Sequence, residues 1–329
     1  MSKVVITGGA GFIGSHTVEK FLAEDYEVTV LDNFSTGRPQ NLASFFDRIE
    51  VVECDLSCKG QWESHFEGTD IVVHLAALAD IVPSIQSPQD YYDSNVTATL
   101  NVMEATRQTG VRKVVYAASS SCYGIPSQYP TPEDAPISPQ YPYALTKRIG
   151  EEVVLHWEQV YSIPAVSLRF FNVYGPRSRT SGTYGAVFGV FLAQKLAEKP
   201  FTVVGDGSQT RDFTYVTDVA DAIFLTSESE LSGKIFNVGS GETISVNRIT
   251  ELLEGPTTYI PKRPGEPDCT FADISKIQRE LDWSPQINIE TGVTNLIENI
   301  DYWREAPVWD RESINKATED WFKYLGDQK

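Results

Sequence analysis

Short apolar runs alternate with longer segments of helical periodicity along the first half of the chain. The runs occupy residues 4–6, 28–31, 49–54, 71–77 and 113–118. Each has the length and composition of a buried strand, whereas residues 12–22 and 87–109 repeat apolar positions at helical spacing. Strands that alternate with helices in this way predict right-handed βαβ units. We therefore expect an α/β fold with a doubly wound parallel sheet.

The first predicted strand leads into a glycine-rich turn, Gly8-Gly9-Ala10-Gly11-Phe12-Ile13-Gly14, which opens the first predicted helix. Strand, turn and helix together place backbone N–H groups and the positive end of a helix dipole at one point, where a pyrophosphate binds well. Gly8 permits the tight turn, Gly11 lets the backbone approach the phosphates, and Gly14 lets the helix pack close to the strand. The pattern predicts a dinucleotide site that includes Phe12 and Ile13.

Acidic and small residues close the next predicted strands. The carboxylate of Asp32 suits the ribose hydroxyls of an adenosine and would repel a 2′-phosphate, so we expect NAD rather than NADP. Asp55 suits an adenine amino group or, equally well, the cap of a following helix. The alanines that close the fourth strand leave room for a cofactor. Further cofactor contacts are expected from Asn33, Leu56, Ala76 and Ala77, and from Tyr143 and Lys147.

A serine and a tyrosine–lysine pair carry the candidate chemistry. Ser119 ends the fifth predicted strand, and a later predicted helix begins with Tyr143 and carries Lys147. The i, i+4 spacing puts the phenol and the ammonium on one face of that helix. A nearby cation lowers the pKa of a phenol from about 10 toward neutrality, so we expect Tyr143 to act as a base and Ser119 to hold the same substrate hydroxyl. In a doubly wound sheet, ligands bind beyond the carboxyl ends of the strands, where these residues would meet.

Composition and charge exclude several classes of partner. Apolar residues make up 41% and charged residues 22% of the chain, which is typical of a globular protein. No apolar run reaches the roughly 18 residues of a membrane span, and no signal-peptide pattern is present, so we expect a cytoplasmic protein. The net charge of −18 argues against nucleic acid and anionic membranes as partners. The four cysteines lack metal-ligand spacing, and we expect no metal.

Taken together, these motifs resemble those of the extended short-chain dehydrogenase/reductase family, in its branch of NAD-dependent nucleotide-sugar epimerases and dehydratases. The resemblance is strongest to UDP-sugar 4-epimerases and covers the chain from residue 3 to about residue 290. It rests on residues 8–16, 31–33, 119–121, the Tyr143/Lys147 pair, 169–177, 205–213 and 237–241.

The resemblance implies substrate contacts in the second half of the chain. Arg211 and Arg263 would bind the nucleotide diphosphate, which guanidinium groups suit well. Asn172 would bind the diphosphate or the sugar. The implied contacts to the base are Gly185, Val187 and Val203, and the implied further contact to the sugar is Ser84.

The reaction implied by the resemblance begins when Tyr143 takes a proton from a sugar hydroxyl as a hydride passes from the same carbon to NAD⁺. Related dehydratases carry Asp-Glu directly after the serine, and decarboxylating relatives keep a glutamate at the second of these positions. Here the two positions are Ser120 and Ser121, which are poor acids. A 4-epimerase needs only to rotate the 4-keto sugar and take the hydride back, so we expect a UDP-sugar 4-epimerase with tightly bound NAD.

The sugar is less constrained than the reaction. Thr270 stands where the resembling epimerases have a gate that is bulky when only simple hexoses are accepted. A small gate leaves room for a 2-acetamido group, so UDP-N-acetylglucosamine is expected alongside UDP-glucose. Glu266 replaces an aspartate common in the family, which leaves that sugar or ribose contact open. A uronic acid epimerase, a dehydratase, a decarboxylase, a reductase and a non-catalytic binding protein remain alternatives.

Two domains and a homodimer complete the expectations. Residues 1–170 would form the NAD-binding domain, including the helix of Tyr143 and Lys147. Residues 171–329 become richer in glycine and proline and would form a smaller mixed domain that binds the nucleotide sugar and returns a strand or helix to the first. The resemblance implies pairing of two copies through helices near residues 90–109 and 143–160.

Overall fold

The structure, a computed structural model, describes residues 2–178 and 186–326. The strands are β1 Lys3–Thr7, β2 Glu27–Asp32, β3 Ile49–Glu53, β4 Ile71–His74, β5 Lys113–Ser119, β6 Ala165–Phe170, β7 Asn172–Tyr174, β8 Phe201–Val204, β9 Thr210–Arg211, β10 Phe213–Tyr215, β11 Lys234–Val238, β12 Ile244–Ser245 and β13 Thr257–Ile260. The α-helices are α1 Phe12–Ala23, α2 Ile81–Gln86, α3 Pro88–Tyr92, α4 Ala98–Thr109, α5 Pro142–Tyr161, α6 Val187–Leu196, α7 Val216–Glu228, α8 Val246–Leu253, α9 Ser275–Leu281, α10 Ile289–Glu298, α11 Arg311–Ala317 and α12 Glu319–Leu325.

Seven parallel strands form one sheet in the order β11-β6-β5-β4-β1-β2-β3. Neighbouring strand residues point to opposite faces, so Val4 and Ile6 pack in one apolar cluster and Val5 packs in another. The first cluster includes α1 and α7, and the second includes α4 and α5. The predicted α/β fold with a doubly wound parallel sheet is confirmed.

The second half of the chain supplies both a sheet strand and a smaller layer of structure. Strand β11 pairs with β6 at the edge of the large sheet, and α7 packs on α1. The remaining strands form three two-stranded ladders, β10-β7, β12-β9 and β13-β8. A third apolar cluster, which includes Phe191, Phe201 and Trp303, lies among these elements. No helix within the described ranges is long and apolar enough to cross a lipid bilayer.

The predicted helix over residues 87–109 is divided by a single π-helical turn. Helix α3 continues through Asp93–Thr97, a π-helical segment, into α4. Asn95 lies in this turn, and its side-chain amide exchanges two hydrogen bonds of 2.8 and 3.0 Å with the backbone of Leu78. The turn therefore holds the loop that follows β4, as π-helical turns often do next to functional sites.

A buried ion pair attaches α5 to the sheet. Arg169 of β6 donates hydrogen bonds of 3.0 and 2.7 Å to the carboxylate of Glu151 in α5, and both side chains are almost completely buried. The same guanidinium donates to the hydroxyl of Tyr123 at 2.7 Å and to the carbonyl of Glu133 at 2.9 Å. Because one charge left without the other in this interior would cost several kcal/mol, about 3–5, the pair fixes the position of α5.

His74 is a buried core histidine at the end of β4. One ring nitrogen lies 2.7 Å from the hydroxyl of Thr7 and the other 2.9 Å from the hydroxyl of Thr99. Burial, together with the nearby charge of Lys147, lowers the pKa of His74 to about 3. The imidazole is therefore neutral in the folded protein at neutral pH.

We predict that His74 makes the protein less stable as the pH falls. The unfolded chain binds a proton at His74 near the usual pKa of about 6.5, whereas the folded protein resists protonation down to about pH 3. Stability should therefore fall below about pH 6.5, with a contribution from this residue of up to about 1.4 kcal/mol per pH unit. Urea unfolding between about pH 7 and pH 5 measures this dependence.

The variant His74→Gln should show a shallower loss of stability with acid, because it removes the titrating group and keeps an amide that can bond the two threonines. The matched control is His156→Gln, which changes an exposed histidine of α5. Identical acid dependence in wild type and His74→Gln would contradict the prediction.

Candidate active site

One cavity of about 710 Å³ extends along the carboxyl ends of the central strands and into the second half of the chain. Of the predicted cofactor residues, its lining includes Gly8, Gly11, Phe12, Ile13, Gly14, Asp32, Asn33, Asp55, Leu56, Ala76, Ala77 and Tyr143. Of the predicted substrate and catalytic residues, it also includes Ser119, Asn172, Val187, Arg211, Arg263, Glu266 and Thr270. The chain therefore brings most of the predicted site residues to one surface.

The glycine turn fits the backbone approach predicted for it. Gly8 has φ +69°, and a Cβ on Gly8 would lie 2.8 Å from the Cα of Ala76, so only glycine lets the ends of β1 and β4 meet. A Cβ on Gly14 would lie 2.1 Å from the carbonyl oxygen of Gly8. The first bond within α1 joins the N–H of Ser15 to the carbonyl of Gly11 at 3.1 Å. The N–H groups at the start of this helix therefore precede its internal bonding and can bind an anion.

Asp32 is held by the same turn. Its carboxylate accepts hydrogen bonds from the N–H groups of Ala10 at 2.9 Å and Phe34 at 2.8 Å, and the side chain is 7% exposed. Burial raises the pKa of Asp32, and these backbone donors act in the opposite direction. A Cβ on Gly37 would lie 2.7 Å from one of its oxygens. The carboxylate is thus fixed in the cavity wall where a ribose would bind.

Asp55 caps a turn and also lines the cavity. Its carboxylate accepts the backbone N–H of Ser57 at 2.9 Å and the hydroxyl of Ser57 at 2.7 Å, which caps the turn after β3. The same residue lines the cavity beside Leu56. Capping therefore does not remove Asp55 from the surface that would hold the adenine.

Ser119 and Tyr143 meet at the carboxyl end of β5. The Ser119 Oγ lies 2.8 Å from the Ser121 Oγ and accepts the N–H of Ser121 at 3.2 Å. Burial raises the pKa of Tyr143, a hydrogen bond with Ser119 lowers it in part, and the carboxylate of Asp80 raises it further. Both side chains line the cavity, as a shared hold on one substrate hydroxyl requires.

Lys147 lies one turn further along α5 and is buried. It does not line the cavity, and its Nζ lies 4.5 Å from the centre of the Tyr116 ring. Burial lowers the pKa of Lys147 to about 7, although the carboxylate of Glu151 raises it. Burial disfavours the charged form of the phenol and of the ammonium alike, so the pKa of Tyr143 is raised and that of Lys147 is lowered. That Lys147 draws the pKa of Tyr143 toward neutrality stays a prediction.

The two predicted diphosphate residues share one carboxylate. Arg211 donates a hydrogen bond of 2.8 Å to Glu266, and Arg263 lies 3.9 Å from the other oxygen of the same group. All three side chains line the cavity. Glu266 therefore holds two guanidinium groups close together. Glu266 itself stands where the resembling family commonly has an aspartate, and here it accepts a hydrogen bond from Arg211.

Thr270 and Asn172 are joined by a hydrogen bond. The hydroxyl of Thr270 donates to the side-chain oxygen of Asn172 at 2.8 Å and accepts the N–H of Asp212 at 3.1 Å. Both Thr270 and Asn172 line the cavity. The predicted gate therefore also orients the predicted sugar or diphosphate contact.

Two predicted substrate residues are placed differently, and a third lies outside the described residues. Val203 is completely buried in β8, and its neighbours Thr202 and Val204 line the cavity instead, because successive strand residues alternate in direction. Ser84 is completely buried, and its hydroxyl donates to the carbonyl of Ile81 at 2.6 Å, so it is turned into α2 rather than into the cavity. Gly185 lies outside the described residues.

Several cavity residues were not predicted from the sequence. The ring of Tyr141 lies parallel to that of Tyr143, with centres 6.4 Å apart and an interplanar angle of 8°. Gly37 leaves room for the carboxylate of Asp32. Its place in the loop that follows the end of β2 could have indicated that it lines the cavity. Trp321 lines the cavity from α12. It belongs to no motif, and no pattern in the sequence indicated its place in the cavity wall.

Comparison with known proteins identifies the family. A model of the NAD dependent epimerase/dehydratase family matches residues 4–239. A putative UDP-glucose 4-epimerase of Methanocaldococcus jannaschii is 35% identical over 302 residues, which cover 89% of this chain and 97% of the relative.

Two solved structures show the same fold. The UDP-N-acetylglucosamine 4-epimerase of Methanobrevibacter ruminantium, in complex with UDP-N-acetylmuramic acid, is 32% identical with a TM-score of 0.84, over 90% of this chain and 98% of that one. The UDP-glucuronic acid 4-epimerase of Bacillus cereus, with UDP-glucuronic acid and NAD, is 32% identical with a TM-score of 0.85, over 91% and 99%. The chain therefore belongs to the NAD dependent epimerase/dehydratase family of nucleotide-sugar enzymes, whose cofactor is NAD.

Proposed function

We propose that this protein is a 4-epimerase of a UDP-sugar. Tyr143 would act as the acid and base, Ser119 as the second contact to the reacting hydroxyl, and Lys147, one turn further along α5, as the nearby cation. The observation that carries the proposal is that Ser119 and Tyr143 line one cavity at the end of β5, next to Ser120 and Ser121. These two serines stand where an elimination or decarboxylation would need carboxylic acids.

The residues of the chain would act in a reversible proton transfer. Tyr143 takes the proton of the hydroxyl on carbon 4 and later returns it, while Ser119 keeps that hydroxyl within reach. NAD, when bound, supplies the hydride acceptor and donor for carbon 4. Gly8, Gly14 and Asp32 would hold it, because the close backbone approach and the fixed carboxylate fit a dinucleotide. The proton and the hydride both return, so the overall reaction needs no further reactant.

A neutral sugar fits the cavity better than a uronic acid. Among the described residues, Arg211 and Arg263 are the cationic side chains that line the cavity, and both adjoin Glu266. Asp80 also lines it, and its negative charge acts on Tyr143. A sugar carboxylate near the reacting carbon would therefore be repelled by Asp80 rather than paired with a cation.

Pairing of two copies and a cytoplasmic location belong to the same proposal. Helices α4 and α5 pack on each other, and each carries an exposed leucine, Leu100 and Leu145, which are 37% and 50% exposed. Exposed apolar side chains on adjacent helices support an interface with a second copy. The cytoplasmic location is a prediction from the sequence.

The proposal predicts conversion of a UDP-sugar to its 4-epimer without added reductant. The purified protein would be mixed separately with UDP-glucose, UDP-N-acetylglucosamine and UDP-glucuronic acid, and the sugars followed by proton NMR. We expect 4-epimers of the first two, little change in the third, and no net NADH. A product that has lost water or carbon dioxide, or no turnover of any sugar by protein that retains NAD, would overturn the epimerase assignment.

Removal of the Tyr143 hydroxyl should abolish most of the turnover. We expect Tyr143→Phe to lower kcat by roughly 10²- to 10⁴-fold, the usual contribution of a positioned acid–base group. The amount of bound NAD should stay the same, because the glycine turn is untouched. The control is Tyr92→Phe, at an exposed tyrosine of α3. Unchanged epimerisation by Tyr143→Phe would show that Tyr143 is not the catalytic base.

Enlarging the gate should discriminate between sugars. We expect Thr270→Tyr to lower kcat/KM for UDP-N-acetylglucosamine at least about tenfold more than for UDP-glucose, because steric exclusion of a group from a pocket is worth this order of discrimination. Thr270→Val is the control, since it keeps the size but removes the hydroxyl that binds Asn172. It should affect both sugars equally. Equal losses with Thr270→Tyr would mean that Thr270 is not a gate.

A further inference from the structure

Helix α12, near the end of the chain, is part of the wall of the candidate site. Trp321 in this helix is 4% exposed and lines the cavity. Its indole N–H donates to the carbonyl of Pro264 at 2.7 Å. The guanidinium carbon of Arg263 lies 5.4 Å from the centre of the indole ring. The tryptophan therefore contacts both the backbone and the side chain of the loop that carries one of the proposed diphosphate residues.

The same helix is fixed to the other side of the cavity. Trp321 and Leu325 form an apolar cluster with Val82 of α2. The side-chain amide of Gln86, at the end of α2, donates to the carboxylate of Asp320 at 2.7 Å. Because Val82 also lines the cavity, α12 bridges two segments of its wall that are far apart in the sequence.

A third contact leads to the catalytic tyrosine. The ring centres of Trp321 and Tyr141 lie 6.4 Å apart, and Tyr141 in turn lies parallel to Tyr143. Trp321 thus stands between Arg263, on the proposed diphosphate side, and the pair of tyrosines at the start of α5. No other aromatic residue of α12 has this position, within the described ranges, because Phe322 and Tyr324 are 39% and 56% exposed and do not line the cavity.

We propose that Trp321 is a positioning residue for nucleotide-sugar binding, which acts by holding Arg263 toward the diphosphate. The inference rests on the proposed function, in which Arg263 binds that group. An arginine side chain has many rotamers, and immobilising one on binding costs conformational entropy. The indole face restricts the guanidinium before the ligand arrives, and the bond to Pro264 fixes the loop from which it projects.

This role differs from that of an apolar anchor for the end of the chain. An anchor requires only bulk at position 321, whereas a positioning residue requires an aromatic face opposite Arg263. Trp321→Leu and Trp321→Phe separate these requirements, because both keep an apolar side chain and only phenylalanine keeps a ring. Phe322→Ala is the matched control on the same helix, at an exposed residue outside the cavity.

The test measures the affinity of the NAD-containing protein for UDP by calorimetry, and KM and kcat for the UDP-sugar that it turns over. We expect Trp321→Leu to raise the Kd for UDP and the KM about tenfold, with kcat within about twofold, because lost preorganisation acts on binding and cation–π contacts contribute on this scale. Trp321→Phe should stay within about threefold of wild type. Phe322→Ala should behave as wild type.

Coupling to Arg263 is tested by a double-mutant cycle. If Trp321 acts through Arg263, the loss of UDP affinity in Arg263→Ala should not increase further when Trp321→Leu is added. Equal affinities of Trp321→Leu and Trp321→Phe for UDP would overturn the inference. The inference would also be overturned if the fold losses in UDP affinity of Arg263→Ala and Trp321→Leu multiplied in the double variant.

The role of Trp321 in UDP binding can be tested separately from the proposed epimerase reaction. Should wild-type protein bind UDP but turn over none of the sugars tested, the proposed reaction would fail, and the binding cycle would still decide the role of Trp321. Absence of UDP binding by wild-type protein would overturn the inference itself.

Discussion

The buried ion pair between Arg169 and Glu151 determines where the candidate catalytic side chains lie relative to one another. Ser119 projects from a strand, whereas Tyr143 and Lys147 project from a helix packed on the sheet. Arg169 joins that helix to the neighbouring strand, and through Tyr123 it also contacts the short turn that follows Ser119. A charge pair enclosed in this way is costly to separate, so the distance between serine and tyrosine is set by the interior rather than by the loops around the cavity.

Two arginines at the proposed diphosphate site oppose, locally, the charge of the whole molecule. The chain carries a net charge of −18, yet two arginines face a cavity proposed to take a diphosphate. Glu266 lies between them and offsets part of their charge. At physiological ionic strength, fields from distant surface charges are screened within about 8 Å. An anion that reaches this cavity is therefore governed by the arginines and by Glu266 rather than by the acidic surface.

The spacing of apolar residues was sufficient to predict the parallel sheet. Short motifs were sufficient to single out the glycine turn, Ser119, Tyr143 and Lys147 as candidates. These features depend on local backbone geometry and on the common edge of parallel strands. The sequence could not show that Ser84 turns into α2, because that depends on the local course of the chain. Nor could it show that burial raises the pKa of Tyr143, because desolvation depends on residues from several elements. Trp321 was missed for a related reason: its partners Arg263 and Tyr141 are distant in the sequence.

The position of β11 has a consequence for how the chain acquires its structure during synthesis. Strand β6 ends at Phe170, but its outer neighbour begins only at Lys234, and α7, which packs on α1, lies between them in the sequence. Until the ribosome has delivered this later segment, the N-terminal part of the chain exposes an unpaired strand edge and the apolar surface of α1. Such an edge is a template for association with other chains. The nascent protein therefore passes through an interval in which Ser119, Tyr143 and Lys147 of the proposed catalytic centre have been synthesised while the sheet is still open on one side.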